Sequence, residues 1–330
     1  MSDLFERIRF RGNPVADPDC VVVSGHARFT ILTSRLVRLE WSETGEFEDR
    51  PTYAFPTRRS SEPPRFTARV DGDVLAIDTG ALALRYRQGG GRFTADNLSI
   101  AFELDGERQV WVPGMPNSSN LRGTRRTLDV CEGDAALDEG ILSRAGWALF
   151  DDSRSVVFNP DDGWVAPRPD HEVQDWYFFG YGHEYKDALA EYTRFGGSVP
   201  LIPRFVLGAW WSRYWAYSAR DLQNLVHDFE RHDLPLDVLV IDMDWHTPHS
   251  WTGYTWNREL FPDPPAFLRW VHDKGLRVTL NLHPAQGVQR FEEVYRRFAK
   301  AMGVDPEGGE PIRFRITDKR FVRHYFELLH

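Results

Sequence analysis

Three times after residue 204 a strand-length apolar run gives way to an amphipathic helical stretch, and this alternation constrains the fold more than any other feature. FVLGAWW (205–211) reads as a first buried strand, and Ser218 caps a helix running to about His232. LDVLVID (236–242) reads as the second strand. A long aromatic loop follows, and proline at 264 or 265 suits the first turn of the next helix, which ends at Lys274–Gly275. RVTLNL (277–282) is the third strand. Further helices are expected from Val288 to about Met302 and from Lys319 to Leu329. Strands and helices in this order form a parallel sheet with helical crossovers. A closed (β/α)8 barrel takes ~250 residues, and residues 200–330 supply roughly half of that. The expectation is a barrel cut short after about three strands, with an intact open α/β domain as the alternative.

Before residue 200 the period is different. ARFTILT (27–33), LVRLEWS (36–42), RFTARVDG (65–72), ALALRYR (81–87) and LSIAFEL (98–104) alternate apolar and polar residues, and turn residues separate them. Such strands put one face on a core and the other toward water, so many of them with little helix between predict an antiparallel β-sandwich. A helix over 183–197, with Tyr185, Leu189 and Tyr192 on one face, closes this region. PLIPRF (200–205) then makes a stiff connector. Two domains are expected, 1–199 and 200–330.

Charge narrows the list of partners. The 330 residues carry a net charge of −9, which disfavours broad attraction to nucleic acid or to an anionic membrane. No stretch approaches the ~18 uninterrupted apolar residues of a membrane-spanning helix, and the first residues lack the apolar segment of a signal peptide. Two cysteines, Cys20 and Cys131, make neither a disulfide framework nor a zinc knuckle. A cytoplasmic protein without cofactor is expected, acting on a neutral or cationic small molecule. The sequence does not fix its oligomeric state.

The chemistry concentrates at the end of the second parallel strand. In VLVIDMDWH, Asp242 and Asp244 stand at i and i+2 of a strand, an arrangement that points both carboxylates to one side. The carboxyl ends of parallel strands are where α/β folds build their sites. Carboxylates there bind sugar hydroxyls, hold a metal or perform acid–base work. Aromatic residues crowd the same ends: Trp210, Trp211, Tyr214, Trp215 and Tyr217 after the first strand, and Trp245, Trp251, Tyr254 and Trp256 after the second. Indole faces suit the C–H faces of sugar rings, and equally suit a core. His246 and His249 beside the two aspartates raise a metal reading, but no regular element fixes their spacing and no metal is expected.

Several segments together resemble a known family. GAWWSRYWAYS (208–218), PLDVLVIDMDWH (235–246), WTGYTWNRELFPDP (251–264) and RVTLNLHPAQGV (277–288) are similar to the first three βα units of family 31 glycoside hydrolases. FEDRPTYAF (47–55), NLRGTRRTLD (120–129) and LDEGILSRAGWALFDDS (137–153) resemble that family's N-terminal sandwich, which is galactose mutarotase-like. The resemblance implies retaining hydrolysis of α-linked sugars by an aspartate nucleophile and an aspartic acid/base. In the family both lie at or beyond the fourth barrel strand, so neither is expected within residues 1–330. It also implies that Asp242 binds hydroxyls of the sugar, with Asp244, Trp245 and Trp211 as further substrate-binding residues. A non-catalytic carbohydrate-binding protein is the second reading. A metal-dependent α/β protein using Asp242, Asp244 and His246 is the third.

Overall fold

A computed structural model describes residues 4–329 apart from 10, 124, 126, 128–130 and 248–249. His249 and part of the 120–129 segment therefore lie outside the described residues. The chain divides into two compact units, Met1–Val199 and Pro200–His330.

The first unit opens with the short helix α1 (Leu4–Ile8). Its strands are β1 (Val21–Ser24), β2 (Ala27–Ile31), β3 (Leu36–Ser42), β4 (Thr67–Asp71), β5 (Val74–Asp78) and β6 (Leu82–Arg87). They continue with β7 (Leu98–Leu104), β8 (Glu107–Trp111), β9 (Ala148–Asp151), β10 (Val157–Phe158), β11 (Val165–Ala166) and β12 (Val173–Phe179). Two five-stranded antiparallel sheets result, ordered β1-β2-β3-β12-β9 and β4-β5-β6-β7-β8, with β10 and β11 as a separate ribbon. Alternation decides what goes inside. Phe29, Leu39 and Phe178 of the first sheet share one core with Ile77, Leu84, Ile100 and Trp111 of the second. The turn between β7 and β8 places Asp105 at φ 53° and Gly106 at φ 80°, as a tight right-twisted hairpin requires.

The expectation of a water-facing second face fails in the middle of the first sheet. There β2 and β3 are buried on both sides. The second face carries Arg28, Arg38, Glu40, Asp175 and Tyr177, all buried. Register explains the grouping: Arg28 lies opposite Glu40, Glu40 opposite Asp175, and Arg38 opposite Tyr177. Arg38 donates from Nε and Nη2 to the two Asp175 oxygens at 2.8 Å each, and Arg28 grips both Glu40 oxygens at 2.7 and 2.9 Å. Bidentate pairing of this kind is what allows charges to be buried at all.

Helix α2 (Tyr185–Gly196) lies against an apolar part of the same first unit, joining Ala188 and Phe195 to Phe55, Tyr177 and Phe179. Phe55 and Tyr177 stack with centroids 3.4 Å apart. The predicted face is corrected here, because Leu189 is 48% exposed while Ala188 and Phe195 are buried.

In the second unit β13 (Trp210–Trp211), β14 (Val238–Ile241) and β17 (Arg277–Leu280) form a parallel sheet ordered β13-β14-β17. Between β14 and β17 the loop folds into a two-stranded hairpin, β15 (His246–Thr247) with β16 (Thr255–Trp256). The helices are α3 (Ala219–Arg231), α4 (Pro264–Asp273), α5 (Tyr295–Met302) and α6 (Lys319–Leu328). Ser218 caps α3 through a capping box: its Oγ accepts from the Asp221 N–H, and Asp221 accepts from the Ser218 N–H. Asp263 caps α4, with Pro264 in the first turn.

Two elements are shorter than their patterns imply. Arg204–Leu207 is a 3-10 turn, not strand, and only two residues of the first strand pair. Gly208 is pressed on Asp237, whose Oδ2 would stand 2.2 Å from a Cβ there and accepts the Ala209 N–H at 2.8 Å. The helix foreseen from Val288 begins only at Tyr295, because Val288 pairs with Ile312 as an isolated bridge.

Candidate functional site

Side-chain alternation across the parallel sheet sorts its residues into two faces. Leu239 and Ile241 of β14 pack with Leu222 and Val226 of α3 and Phe267 and Val271 of α4. Val278 and Leu280, their neighbours on β17, lean on the same cluster. Val238, Val240 and Asp242 therefore take the face turned away from those helices, as do Arg277, Thr279 and Asn281.

Asp242 and Asn281 meet on that face. Asn281 donates from Nδ2 to Asp242 Oδ1 at 2.5 Å. Its own N–H donates to the Ile241 carbonyl at 3.0 Å, continuing the strand ladder. Its carbonyl accepts the Trp245 indole N–H at 2.9 Å. One residue thus ends the third strand, orients the Asp242 carboxylate and anchors the aromatic loop. Among the described residues no hydrogen bond reaches Asp242 Oδ2.

The other expected site residues stand differently. Asp244 is not in line with Asp242: β14 ends at Ile241, and Asp244 takes a left-handed conformation at φ 61°. The i, i+2 argument for a shared side thus fails. Trp245 is 4% exposed and packs its edge on His246 and Trp256, with centroids 5.0 and 5.3 Å away. It supports the loop from within the core. Trp211 lies on the helix-facing side, edge-on to Phe229 of α3 at 5.6 Å. Its ring is turned away from Asp242's face, and the neighbouring Trp210 is the half-exposed one.

The loop after β14 is tied to the loop after β17 by contacts that the motif did not announce. Glu292 is buried and accepts the Tyr254 N–H at 3.1 Å and the Thr255 hydroxyl at 2.7 Å. Burial pushes its carboxyl upward, and those donors draw it part of the way back. Thr252 donates to the His283 carbonyl, and the Trp251 ring lies 4.0 Å from the His283 ring. Trp251 remains 55% exposed, so an aromatic surface stands open on the docked loop. Gly253 is compulsory at its position, because a Cβ there would sit 2.1 Å from His246 Nδ1. His246 is consequently packed in. Among the described residues no group of three His, Cys, Asp or Glu is placed to hold a metal ion.

Asn281 carried a signal that sequence reasoning missed. It follows Thr279 at i+2 on the third strand, just as Asp242 follows Val240 on the second. Glu292 had none, since it falls inside a stretch patterned as helix.

Residues 199–314 match the TIM-barrel domain of glycosyl hydrolases family 31. Most of the second unit is thus similar to the TIM-barrel domain of glycoside hydrolase family 31. Alpha-xylosidase XylQ of Lactiplantibacillus pentosus is 32% identical over 121 residues, which are 36% of this chain and 16% of that protein. Lysosomal alpha-glucosidase of Mus musculus is 28% identical over 182 residues, 54% of this chain and 19% of the mouse protein. Among solved structures, a family 31 alpha-xylosidase from a soil metagenome, complexed with xylose, superposes at a TM-score of 0.58 and 15% identity. That match covers 86% of this chain and 48% of the xylosidase, and it is a likeness of fold. The chain thus spans about a sixth of XylQ by sequence and about half of the metagenomic enzyme by structure. No helix among the described residues is long and apolar enough to cross a membrane.

Proposed function

We propose that this chain supplies the sugar-gripping part of a retaining α-glycosidase, with Asp242 accepting hydrogen bonds from hydroxyls of the sugar at the cleaved bond. The observation that carries this reading is the Asp242–Asn281 pair, which holds a carboxylate at the carboxyl end of the central parallel strand, its second oxygen without a hydrogen bond among the described residues. The exposed Trp251 offers a ring face on the adjoining loop. Asp244, Trp245 and Trp211 hold the loop and the sheet around that carboxylate. The three parallel strands are the first part of a (β/α)8 barrel, and the antiparallel sheets before them are its galactose mutarotase-like sandwich. The nucleophile and the acid/base belong to later strands of that barrel. Substrates are α-linked sugars, as the names of the α-xylosidase and α-glucosidase relatives suggest.

The test has two arms. The 330-residue chain by itself is expected to show no turnover of aryl α-glycosides, because retention needs two carboxyl groups ~5–5.5 Å apart across the bond. In the enzyme with a complete barrel, Asp242→Asn keeps the shape of the side chain and loses the charge. Charge-assisted hydrogen bonds contribute ~1.5–3 kcal/mol each. If two such bonds tighten in the transition state, kcat/KM falls by ~10²-fold or more. Near-wild-type kcat/KM for Asp242→Asn, with an unchanged melting curve, would show that the residue does not bind substrate.

A further inference from the structure

Between the β1–β2 turn and the loop after β6, the two antiparallel sheets of the first unit leave a cavity of about 410 Å³, a size usual for small-molecule sites. Each sheet sends one aromatic side chain into it. Trp41 of β3 follows Leu39 at i+2, and Tyr86 of β6 follows Leu84 in the same way, so both point between the sheets. Phe29 and Phe93 pack on the Tyr86 ring, with centroids 5.3 and 5.6 Å away. Ser24, His26, Glu43 and Gln88 supply the polar lining, and His26 and Glu43 are exposed. Gln88 donates from Nε2 to Ser24 Oγ at 2.7 Å, and His26 Nδ1 stands 2.9 Å from the Ser42 carbonyl oxygen. Both turns at the cavity are tied down in this way.

Both rings carry a polar group without a partner. Tyr86 is 2% exposed, yet its hydroxyl makes no hydrogen bond with any described residue. Burial is the one cause that raises its phenol pKa, with no hydrogen bond or charge acting on it. A buried tyrosine hydroxyl or tryptophan N–H usually finds a partner. The polar atoms that are fully enclosed without one, such as Trp211 Nε1, do not include the Tyr86 oxygen. That oxygen therefore keeps accessible surface, and the cavity is what Tyr86 borders. The half-buried Trp41 is in the same state, its indole N–H unbonded but not enclosed.

We propose that this cavity binds a neutral sugar ring, whose C–H face lies on the aromatic side chains and whose hydroxyls pair with the Tyr86 hydroxyl and the Trp41 N–H. Its outer hydroxyls meet Gln88 and Glu43. A pyranose joins apolar faces to a polar edge all round, and the lining offers the same combination. An anion would meet Glu43, the one carboxylate of the lining. A cation would face the unbonded Trp41 N–H. A phenol would satisfy one of the two unpartnered groups and leave the other to water. The site lies wholly within the first unit, and the proposal does not rest on the reading of Asp242.

The experiment titrates the whole 330-residue chain with methyl α-D-glucopyranoside, followed by ligand-observed NMR saturation transfer and by the thermal transition. Phenol, a flat ring without the polar edge, and glycerol, hydroxyls without the ring, are the comparisons. All titrations are repeated with Asp242→Asn, which removes any sugar held at that residue. Saturable binding of the sugar is expected in both chains, with a ligand-dependent rise in Tm. Tyr86→Phe deletes a hydroxyl that holds nothing in the fold, so Tm without ligand should not fall. Sugar affinity should nevertheless weaken by about threefold to tenfold, the worth of one neutral hydrogen bond. Trp41→Phe, which keeps a ring and loses the N–H, should weaken it at least as much. Equal affinity with and without Tyr86→Phe in the Asp242→Asn chain would overturn the proposal. So would phenol or glycerol binding as tightly as the sugar. Binding that vanishes in Asp242→Asn would place the sugar in the second unit and overturn it too, as would no saturable binding at all.

Discussion

Replacing Asp175 by Asn probes the buried ion network with the least change of shape. Asp175 is buried and accepts two hydrogen bonds from Arg38 at 2.8 Å and one from Arg168 at 2.9 Å. Asparagine keeps one acceptor oxygen and turns an NH2 group toward donors that have nothing to receive from it. Two guanidinium groups then stay buried with their common partner neutralised. Removing one member of a buried pair in this way costs about 3–5 kcal/mol, and urea unfolding at pH 7 followed by far-ultraviolet circular dichroism should show that loss for the first unit. The pH dependence supplies a second check. The neighbouring guanidinium groups, Arg38 foremost, hold the folded-state pKa of Asp175 far below the usual carboxylate range, against the burial that would raise it. A depressed folded pKa gives stability that is present above the unfolded value of ~3.9 and is lost as pH falls toward the folded one. The gap between wild type and Asp175→Asn should therefore be constant above pH 5 and narrow by about 1.4 kcal/mol per unit below pH 4. Glu40 and Asp152 shift the other way, upward through burial first and the Asp175 charge among the lesser causes, and so favour the wild-type fold on mild acidification. A difference under about 1 kcal/mol at pH 7 would refute the account, as would a gap that stays the same down to pH 3.

Two smaller perturbations test the second unit. Gly253→Ala forces a Cβ against the His246 ring, an overpacking that costs about 1–3 kcal/mol; near-ultraviolet dichroism of the aromatic loop should weaken, and an unchanged spectrum and stability would show that the loop has room to yield. Ser218→Ala removes the acceptor for the Asp221 N–H and should destabilise α3 by ~1 kcal/mol in urea titrations, with Ser218→Asp close to neutral.

Much of the fold was legible because the signals were local. Ser218 with Asp221, and Asp263 with Pro264, mark helix starts by chemistry that acts within one turn, and both helices begin where those residues place them. Where tertiary contacts compete with a local pattern, the pattern loses. Residues 288–294 have helical spacing, yet Val288 is taken by Ile312 and Glu292 by the Tyr254–Thr255 backbone and hydroxyl, so α5 starts at Tyr295. Residues 205–207 are apolar enough for a strand, but Leu207 ends up exposed in a 3-10 turn. In the first unit, the strand alternation that predicts one core-facing side is met by Phe29, Leu39 and Leu84, which all lie in the core. It could not say that the polar half of β2, β3 and β12 would be buried too, because that depends on chain segments far away in sequence, such as the one bearing Arg58.

The site shows the same division at closer range. Asp242 and Asp244 are two residues apart, and reading them as a pair assumes that the strand continues through both. It ends at Ile241, and the positive φ at Asp244 turns the second carboxylate out of register. The partner that Asp242 has lies 39 residues onward, at Asn281. It becomes visible in the sequence only when β14 and β17 are laid side by side, so that VLVID and VTLN show the same alternation. Leu239, Ile241, Val278 and Leu280 go to the helices, and Val240, Asp242, Thr279 and Asn281 to the other face. The tryptophans obey the same division: Trp211 falls on the helix side with Leu239, its register partner, and cannot share a face with Asp242. In a parallel sheet, then, a polar group gains a chemical role by sharing a face with a neighbouring strand, and proximity along one strand is a poorer guide. That is why Asn281, which no motif singled out, is the residue that hydrogen-bonds the Asp242 carboxylate.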